Sequence, residues 1–238
     1  MALVVAAGYL DVLVLSHLCT SIMEKAPEKL ELIAKYFAEF TPKQHSQLLA
    51  LEALYREWNE KINVISRKDI DGLYEKHVLH SMAIAAVFQL APGDEIMDLG
   101  TGGGFPGVPL AIFFPETRFH LVDSINKKLK VVQEVASALG LENITTQHTR
   151  AEDIKNRKFD AVVSRAVAPL GDLWQWSKPL IRKRKTPVPD APNGLVCLKG
   201  GDLAQEIADS RCRPRQVELY EIFPEPFFKE KSLLYITL

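Results

Sequence analysis

Paired cysteines, a basic surplus and uninterrupted apolar runs are all missing from this chain of 238 residues. Cysteine occurs three times, at Cys19, Cys197 and Cys212. An odd number without CxxC spacing argues against a disulfide framework and against a zinc knuckle, and it fits a reducing cytoplasm. The closest histidines, His77 and His80, lack an obvious third ligand, so no metal site is expected. Thirteen Gly and 14 Pro are too few for a fibrous or low-complexity chain. With 29 Lys+Arg against 30 Asp+Glu the net charge is −1, so nucleic acid could be held only by local patches. The first 22 residues are apolar but carry no Lys or Arg, and Asp11 interrupts them. Neither a signal peptide nor a span of about 30 Å of hydrocarbon follows. They read as an upstream extension without function, with translation beginning at Met23.

What is present is ordinary globular material, 47% hydrophobic and 25% charged, enough for one large domain or one domain with an appendage. Residues 27–88 carry helical periodicity. Leu30, Ile33, Phe37 and Phe40 share one face, and Thr41, Pro42 and Gln44 make an N-cap with a capping box. Leu48, Leu51, Leu54, Tyr55 and Trp58 supply the buried face of the helix that follows. After a polar break at 59–71, Leu73, His77, Met82 and Ala85 mark a third helical stretch. This sets out a helical lobe over 23–91.

From residue 92 the texture changes to short β-like runs alternating with helical ones, the pattern of βαβ units around a parallel sheet. Strands are predicted at 95–99, 118–123, 144–149, 159–164, 194–199, 216–222 and 231–237, with crossovers at 106–114, 127–139, 152–156 and 170–181. The last two, joined by the turn Phe223-Pro224-Glu225-Pro226, are expected to close the sheet edge as an antiparallel pair.

The strongest chemical signal follows the first strand, where Asp98-Leu99-Gly100-Thr101-Gly102-Gly103-Gly104-Phe105-Pro106-Gly107 packs five glycines into eight residues. Such a loop lets backbone approach a ligand at the carboxyl edge of an open α/β sheet. A dinucleotide is a poor fit, because Pro106 and Pro109 are expected to force a loop before any helix and Asp98 would sit badly beside phosphate. Asp98 suits a cationic sulfonium and an ammonium, and Asp123 at the end of the second strand suits ribose hydroxyls, so S-adenosylmethionine accounts for both acids. Ala151 and Glu152, after the third strand, stand where an adenine ring is met. Arg165, after the fourth, offers a cation to a phosphate, a base edge or the cofactor carboxylate. The segment around Arg165 has no Asn/Asp-Pro-Pro-aromatic run for an exocyclic amine and no Pro-Cys for a pyrimidine ring, and Cys197 reads as core.

The runs IMDLGTGGGFPGVPLA, VDSINKK at 122–128, RAE at 150–152, SRAVA at 164–168 and LKGG at 198–201 resemble the glucose-inhibited division protein B family, bacterial methyltransferases of small-subunit ribosomal RNA. Trp58-Asn59, Ile62-Asn63-Val64 and His77-Val78-Leu79-His80-Ser81 add to the likeness, which extends over 24–238. One departure is His80, where the family often has an acid. The resemblance implies a class I S-adenosylmethionine-dependent methyltransferase fold, Rossmann-like, with a mostly parallel seven-stranded sheet and an antiparallel edge strand behind the helical lobe. It implies methyl transfer to guanine N7 in the 530-loop region of 16S rRNA, and cofactor contacts at Gly100, Phe105 as an apolar lid, Ala151, Glu152 and Arg165, with Asp98, Gly102 and Asp123 beside them. No indispensable catalytic base is expected, because N7 carries a lone pair and no proton. Arg165 and Lys199 are placed at the methyl-transfer face. RNA contacts are expected from Lys127, Lys128, Lys130, the run 182–185, Lys199, Arg211, Arg213 and Arg215. The partner would be 16S rRNA or the small subunit, with no membrane and a monomeric, cytoplasmic protein. Two alternatives stay open: a non-catalytic RNA-binding protein of the same fold, and a nicotinamide-dependent oxidoreductase, although no hydride-handling Tyr-Lys or His pair is evident.

Overall fold

The computed structural model describes residues 28–165, 167–184, 186 and 188–238. The N-terminal extension with Cys19 and Met23, together with Ala166 and Lys185, lies outside the described residues. The chain divides into two compact units between Glu39 and Phe40. Helix α1 (Glu28–Ala34) belongs to the first. It ends well before Phe40, which the spacing had placed on the same face. Thr41 must be extended ahead of Pro42, and Phe40 packs edge-on against Phe113, 5.9 Å away in the second unit.

The second unit holds everything from helix α2 (Pro42–Lys61) onward. The capping box forms, with the Gln44 N–H donating to Thr41 Oγ1 and the Thr41 N–H to Gln44 Oε1. Leu48, Leu51 and Tyr55 are buried as expected, whereas Leu54 and Trp58 are only half-buried. Gln44 and Gln47 are buried in their stead, because their amides donate to the backbone carbonyls of Ile112, Phe113 and Leu139. The third helical stretch runs as a π-helical segment, Tyr74–Leu79, into α3 (His80–Val87).

The strands are β1 (Glu95–Leu99), β2 (Arg118–Asp123), β3 (Ile144–His148), β4 (Ala161–Arg165), β5 (Gly194–Gly200), β6 (Arg215–Glu218) and β7 (Lys231–Thr237). They form one sheet in the order β3-β2-β1-β4-β5-β7-β6. All pairings from β3 to β5 are parallel, and β7 runs antiparallel to both its neighbours. The β7–β6 pair closes the sheet edge as expected, with β6 outermost and ending at Glu218 in a 3-10 turn. Helices α4 (Gly107–Phe113), α5 (Asn126–Ala138), α6 (Leu170–Ser177) and α7 (Ala204–Ser210) provide the crossovers. Between β3 and β4 only one 3-10 turn, Ala151–Asp153, stands where a longer crossover was expected. Met97, Leu99, Val162, Leu195 and Cys197 share a core cluster with Leu170 and Leu173 of α6. Alternation then turns Asp98 to the opposite face, and the register Asp98↔Leu121 and Asp98↔Val163 puts Asp123 and Arg165 on that same face one step further on.

Candidate functional site

In this strand order the connections reverse direction at β1 and β4, and open α/β sheets bind ligands at the carboxyl edge of such a switch. The glycine loop lies there. Asp98 is fully buried, and its Oδ2 accepts from the Thr101 hydroxyl at 2.6 Å and the Gly107 N–H at 2.8 Å. Its Oδ1 is buried without a hydrogen-bond partner. Burial pushes the carboxyl up to about 7, against the lowering effect of those two hydrogen bonds and of Arg165. Asp123 spends one carboxylate oxygen on the Gly102 N–H and the other on the Ile125 N–H, both at 2.8 Å, which ties the loop to the entry of α5.

The glycines serve different neighbours. At Gly100, φ is +69° and a Cβ would lie 2.6 Å from a Val167 methyl. A Cβ on Gly103 would meet Val64 at 2.8 Å, and one on Gly104 would meet the Val108 methyl at 2.7 Å and the Tyr55 hydroxyl at 3.0 Å. Gly107 has Asp98 and Leu121 against it. Only Gly102 of the five, at φ +58°, has open space where its side chain would be. The density of glycine that suggests a ligand is therefore mostly demanded by packing. A loop over 100–106 separates β1 from α4, as expected; Pro106 is the N-cap of the helix and Pro109 sits in its first turn, where a missing N–H costs nothing.

A cavity of about 210 Å³ opens at the ends of β1, β2 and β3, and it brings together four of the residues singled out in the sequence: Gly100, Asp123, Ala151 and Glu152. Trp176 and Val167 complete its apolar side. Asp98, Gly102, Phe105, Arg165 and Lys199 are not among its lining residues. Phe105 is buried, its ring 4.8 Å from that of Tyr55 and 5.1 Å from that of His77. The Arg165 guanidinium lies over the Phe105 ring at 5.0 Å and donates to His77 Nδ1 at 3.0 Å and to the Lys76 carbonyl at 3.4 Å. Burial lowers Arg165 to about 10 and His77 to about 3, so a neutral imidazole accepts from the cation. The π-helical segment turns both acceptors toward Arg165. His80 is buried between Phe227 and Phe228, with Nε2 unpartnered.

Two expectations about cations change. Lys199 is nearly buried and bonds the Ala168 carbonyl and Glu206, the latter at 2.6 Å, so it is a structural cation beside a separate cavity lined also by Asp172, Asp202 and Asp209. Arg182 and Arg184 lie at the amino edge of the sheet, paired with Glu95 at 2.7 Å and Asp94 at 2.6 Å, remote from the edge that carries the glycine loop. Lys127 and Lys130 are exposed and Lys128 half-buried on the first turns of α5, at the carboxyl edge. Arg211, Arg213 and Arg215 are exposed around the entry to β6. Sequence reasoning missed the parts played by Tyr55, His77, Val167 and Trp176. Tyr55 gave only core periodicity, His77 that and its place in the run 77–81, Val167 its place in the run 164–168, and Trp176 no signal.

The sheet order is that of the class I methyltransferases. A crystal structure of a mutant of MtNAS in complex with S-adenosylmethionine matches 82% of this chain and 76% of its own at TM-score 0.53 and 13% identity. TrmN from Thermus thermophilus matches 66% and 48% at TM-score 0.50 and 16% identity. A family model described as rRNA small subunit methyltransferase G (GidB) matches residues 44–220. The ribosomal RNA small subunit methyltransferase G of Phocaeicola vulgatus is 56% identical over 88% of this chain and 99% of its own, and that of Porphyromonas gingivalis is 50% identical over 91% and 100%. The chain belongs to the GidB family of small-subunit rRNA methyltransferases.

Proposed function

We propose that this protein transfers a methyl group from S-adenosylmethionine to N7 of one guanosine in the 530-loop region of 16S rRNA, acting as a cytoplasmic monomer. The observation that carries the reading is the convergence of Gly100, Asp123, Ala151 and Glu152 on one cavity beside a buried carboxylate with a free oxygen. Those residues fit the cofactor. Asp98 Oδ1 lacks the donor or positive group that a sulfonium and an ammonium would bring, and the Asp123 carboxylate keeps lone pairs for ribose hydroxyls beyond the two it uses. Val167 and Trp176 offer apolar walls to a planar ring beside Ala151 and Glu152. Phe105 and Gly102 belong to this set as the buried base of the loop and its open point, and Arg165 as the cation behind them.

When bound, S-adenosylmethionine supplies an electrophilic methyl on a cationic sulfur. What the protein must add is alignment and charge management, since guanine N7 presents a lone pair and no proton to remove. The groups around the loop suit that task. The His77 imidazole, lowered to about 3 and with Nδ1 engaged by Arg165, is a weak proton acceptor, Arg165 stays charged, and Tyr55 keeps its proton, so none of these is a ready base at neutral pH. The purine acquires positive charge on methylation, and an ionised Asp98 at the same edge favours that charge. For the RNA, Lys127, Lys128 and Lys130 flank the cleft and are the phosphate contacts favoured here, in preference to Lys199, Arg182 and Arg184.

The test is methyl transfer from radiolabelled cofactor to small ribosomal subunits from a strain lacking the family enzyme, with the modified base mapped by cleavage at 7-methylguanosine. Label at one guanosine of the 530 loop is expected. Label elsewhere, or on another atom, overturns the assignment of position, and cofactor binding without any transfer favours the non-catalytic reading.

A further inference from the structure

Two features of the glycine loop are unexplained by ligand binding. Gly103 and Gly104 have their bare Cα atoms turned to protein, against Val64 and against Val108 with the Tyr55 hydroxyl. Tyr55 is fully buried on α2, and its hydroxyl donates to the Gly103 carbonyl at 2.7 Å. Its ring also supports Phe105 at 4.8 Å. One side chain of the helical layer thus fixes the loop at two points of its path, the carbonyl at 103 and the ring at 105. A second hold comes from the segment after α2, where Asn59 Oδ1 accepts from the Val64 and Ile65 N–H groups and its amide donates to the Ile65 carbonyl, pinning Val64 over Gly103.

From this geometry we infer that Tyr55 is a positioning residue for the cofactor, setting the conformation of Gly100–Phe105 from α2. The inference rests on reading that loop as the cofactor site. The alternative assignment for a buried tyrosine is plain core filling, and the molecule contains its own comparison. Tyr74 is also buried, and its hydroxyl donates to the Leu48 carbonyl at 2.9 Å, within the helical layer and away from the loop. Each loses one buried donor on substitution by Phe, with the ring retained, so the two variants carry similar structural damage and differ in what the hydroxyl held.

Affinity for S-adenosylhomocysteine by isothermal titration calorimetry, on the full chain without RNA, is the measurement. Tyr55→Phe is expected to bind about tenfold more weakly, the loss of roughly one charge-neutral hydrogen bond's worth of loop order, while Tyr74→Phe binds like the wild type. In turnover the Tyr55 variant is expected to raise KM for the cofactor with kcat at saturation retained. Equal affinity of Tyr55→Phe and wild type overturns the inference, as does equal weakening by both variants. Should Tyr55→Phe not fold, Val64→Ala loosens the other hold on Gly103 and is expected to weaken binding severalfold, with wild-type affinity counting against the inference. Gly102→Asp separates the two levels: if it binds the ligand normally, the loop itself is not the site, and the reading beneath the inference fails.

Discussion

The two edges of the sheet both carry charge and treat it differently. At the amino edge three acids are paired: Glu95 meets Arg118 and Arg182, Asp94 meets Arg184, and Asp160 faces both Arg182 and Arg184 while its Oδ2 accepts the Glu95 N–H. At the carboxyl edge, one oxygen of Asp98 is buried with nothing bonded to it, and the cation on the same face, Arg165, is held by a neutral imidazole, a carbonyl and an aromatic ring. The carboxyl edge also holds a satisfied pair, Lys199 with Glu206, so the contrast lies in the buried, unpartnered oxygen of Asp98, which the proposed cofactor site would use. The comparison also bears on the run 182–185 as an expected RNA patch. In sequence it is four basic residues in a row, and in space Arg182 and Arg184 are counter-ions of acids at the stable edge.

The sharpest way to break this contrast is to disturb the carboxyl edge without touching packing. Gly102→Asp does so, because the new side chain enters open space and Asp is among the residues that tolerate a left-handed backbone. The variant is expected to unfold within about 1 kcal/mol of the wild type while losing measurable cofactor binding, since it sets a second carboxylate beside Asp123. Retained binding in a titration would remove the loop from the site. At the amino edge the expectation inverts. Arg184→Ala strips a largely buried cation from Asp94 and is expected to cost about 2–4 kcal/mol of stability in denaturant melts, with cofactor affinity per folded molecule unchanged.

Asp98→Asn tests the unpaired carboxylate directly. The folded-state pKa of Asp98 lies at about 7, above that of the unfolded chain, so the native state binds the extra proton and stability falls as pH rises through the interval from about 4 to about 7. A rise of that size corresponds to at most about 4 kcal/mol, and Asp98→Asn should flatten that part of the stability profile. Affinity for a cationic ligand moves the other way. In the wild type it is expected to tighten as pH rises through about 7 and the carboxylate ionises, and the Asn variant should lose that dependence together with about tenfold in affinity at pH 8. Identical pH dependence in both proteins would show that Asp98 does not meet the ligand's charge.

Much of this was legible in the residues. The alternation of β-like and helical runs marked all seven strands to within a few residues, and the capping box at Thr41 fixed the start of α2 to the residue. Legibility failed where one local signal served two causes. Glycine density reads as ligand approach, yet Gly103, Gly104 and Gly107 are small because Val64, Tyr55, Val108 and Leu121 crowd them. Helical periodicity reads Tyr55 and His77 as core; Tyr55 is buried and His77 only half-buried, and periodicity cannot show that the core face of α2 is laid against the glycine loop. Basic character reads as RNA affinity until a partner such as Glu206 or Asp94 is seen beside it. Long-range pairing is a property of the fold, and no window of sequence contains it.

The smallest expected effect falls on the cations that remain unpaired. Lys127 stands exposed on the first turn of α5, next to the Asp123–Gly102 link, so it can meet phosphate without any rearrangement of the protein. A single phosphate contact contributes about one unit to the slope of log affinity against log salt and little to affinity at low salt. Lys127→Glu is therefore expected to lower the magnitude of that slope for small-subunit RNA by about one, leaving cofactor affinity and the melting curve alone. Lys183→Glu, at the opposite edge beside Arg182 and Arg184, is expected to leave the slope as it was. A slope reduced by Lys183→Glu and unmoved by Lys127→Glu would mean that the RNA lies along the amino edge, and the contrast between the two edges would have to be redrawn.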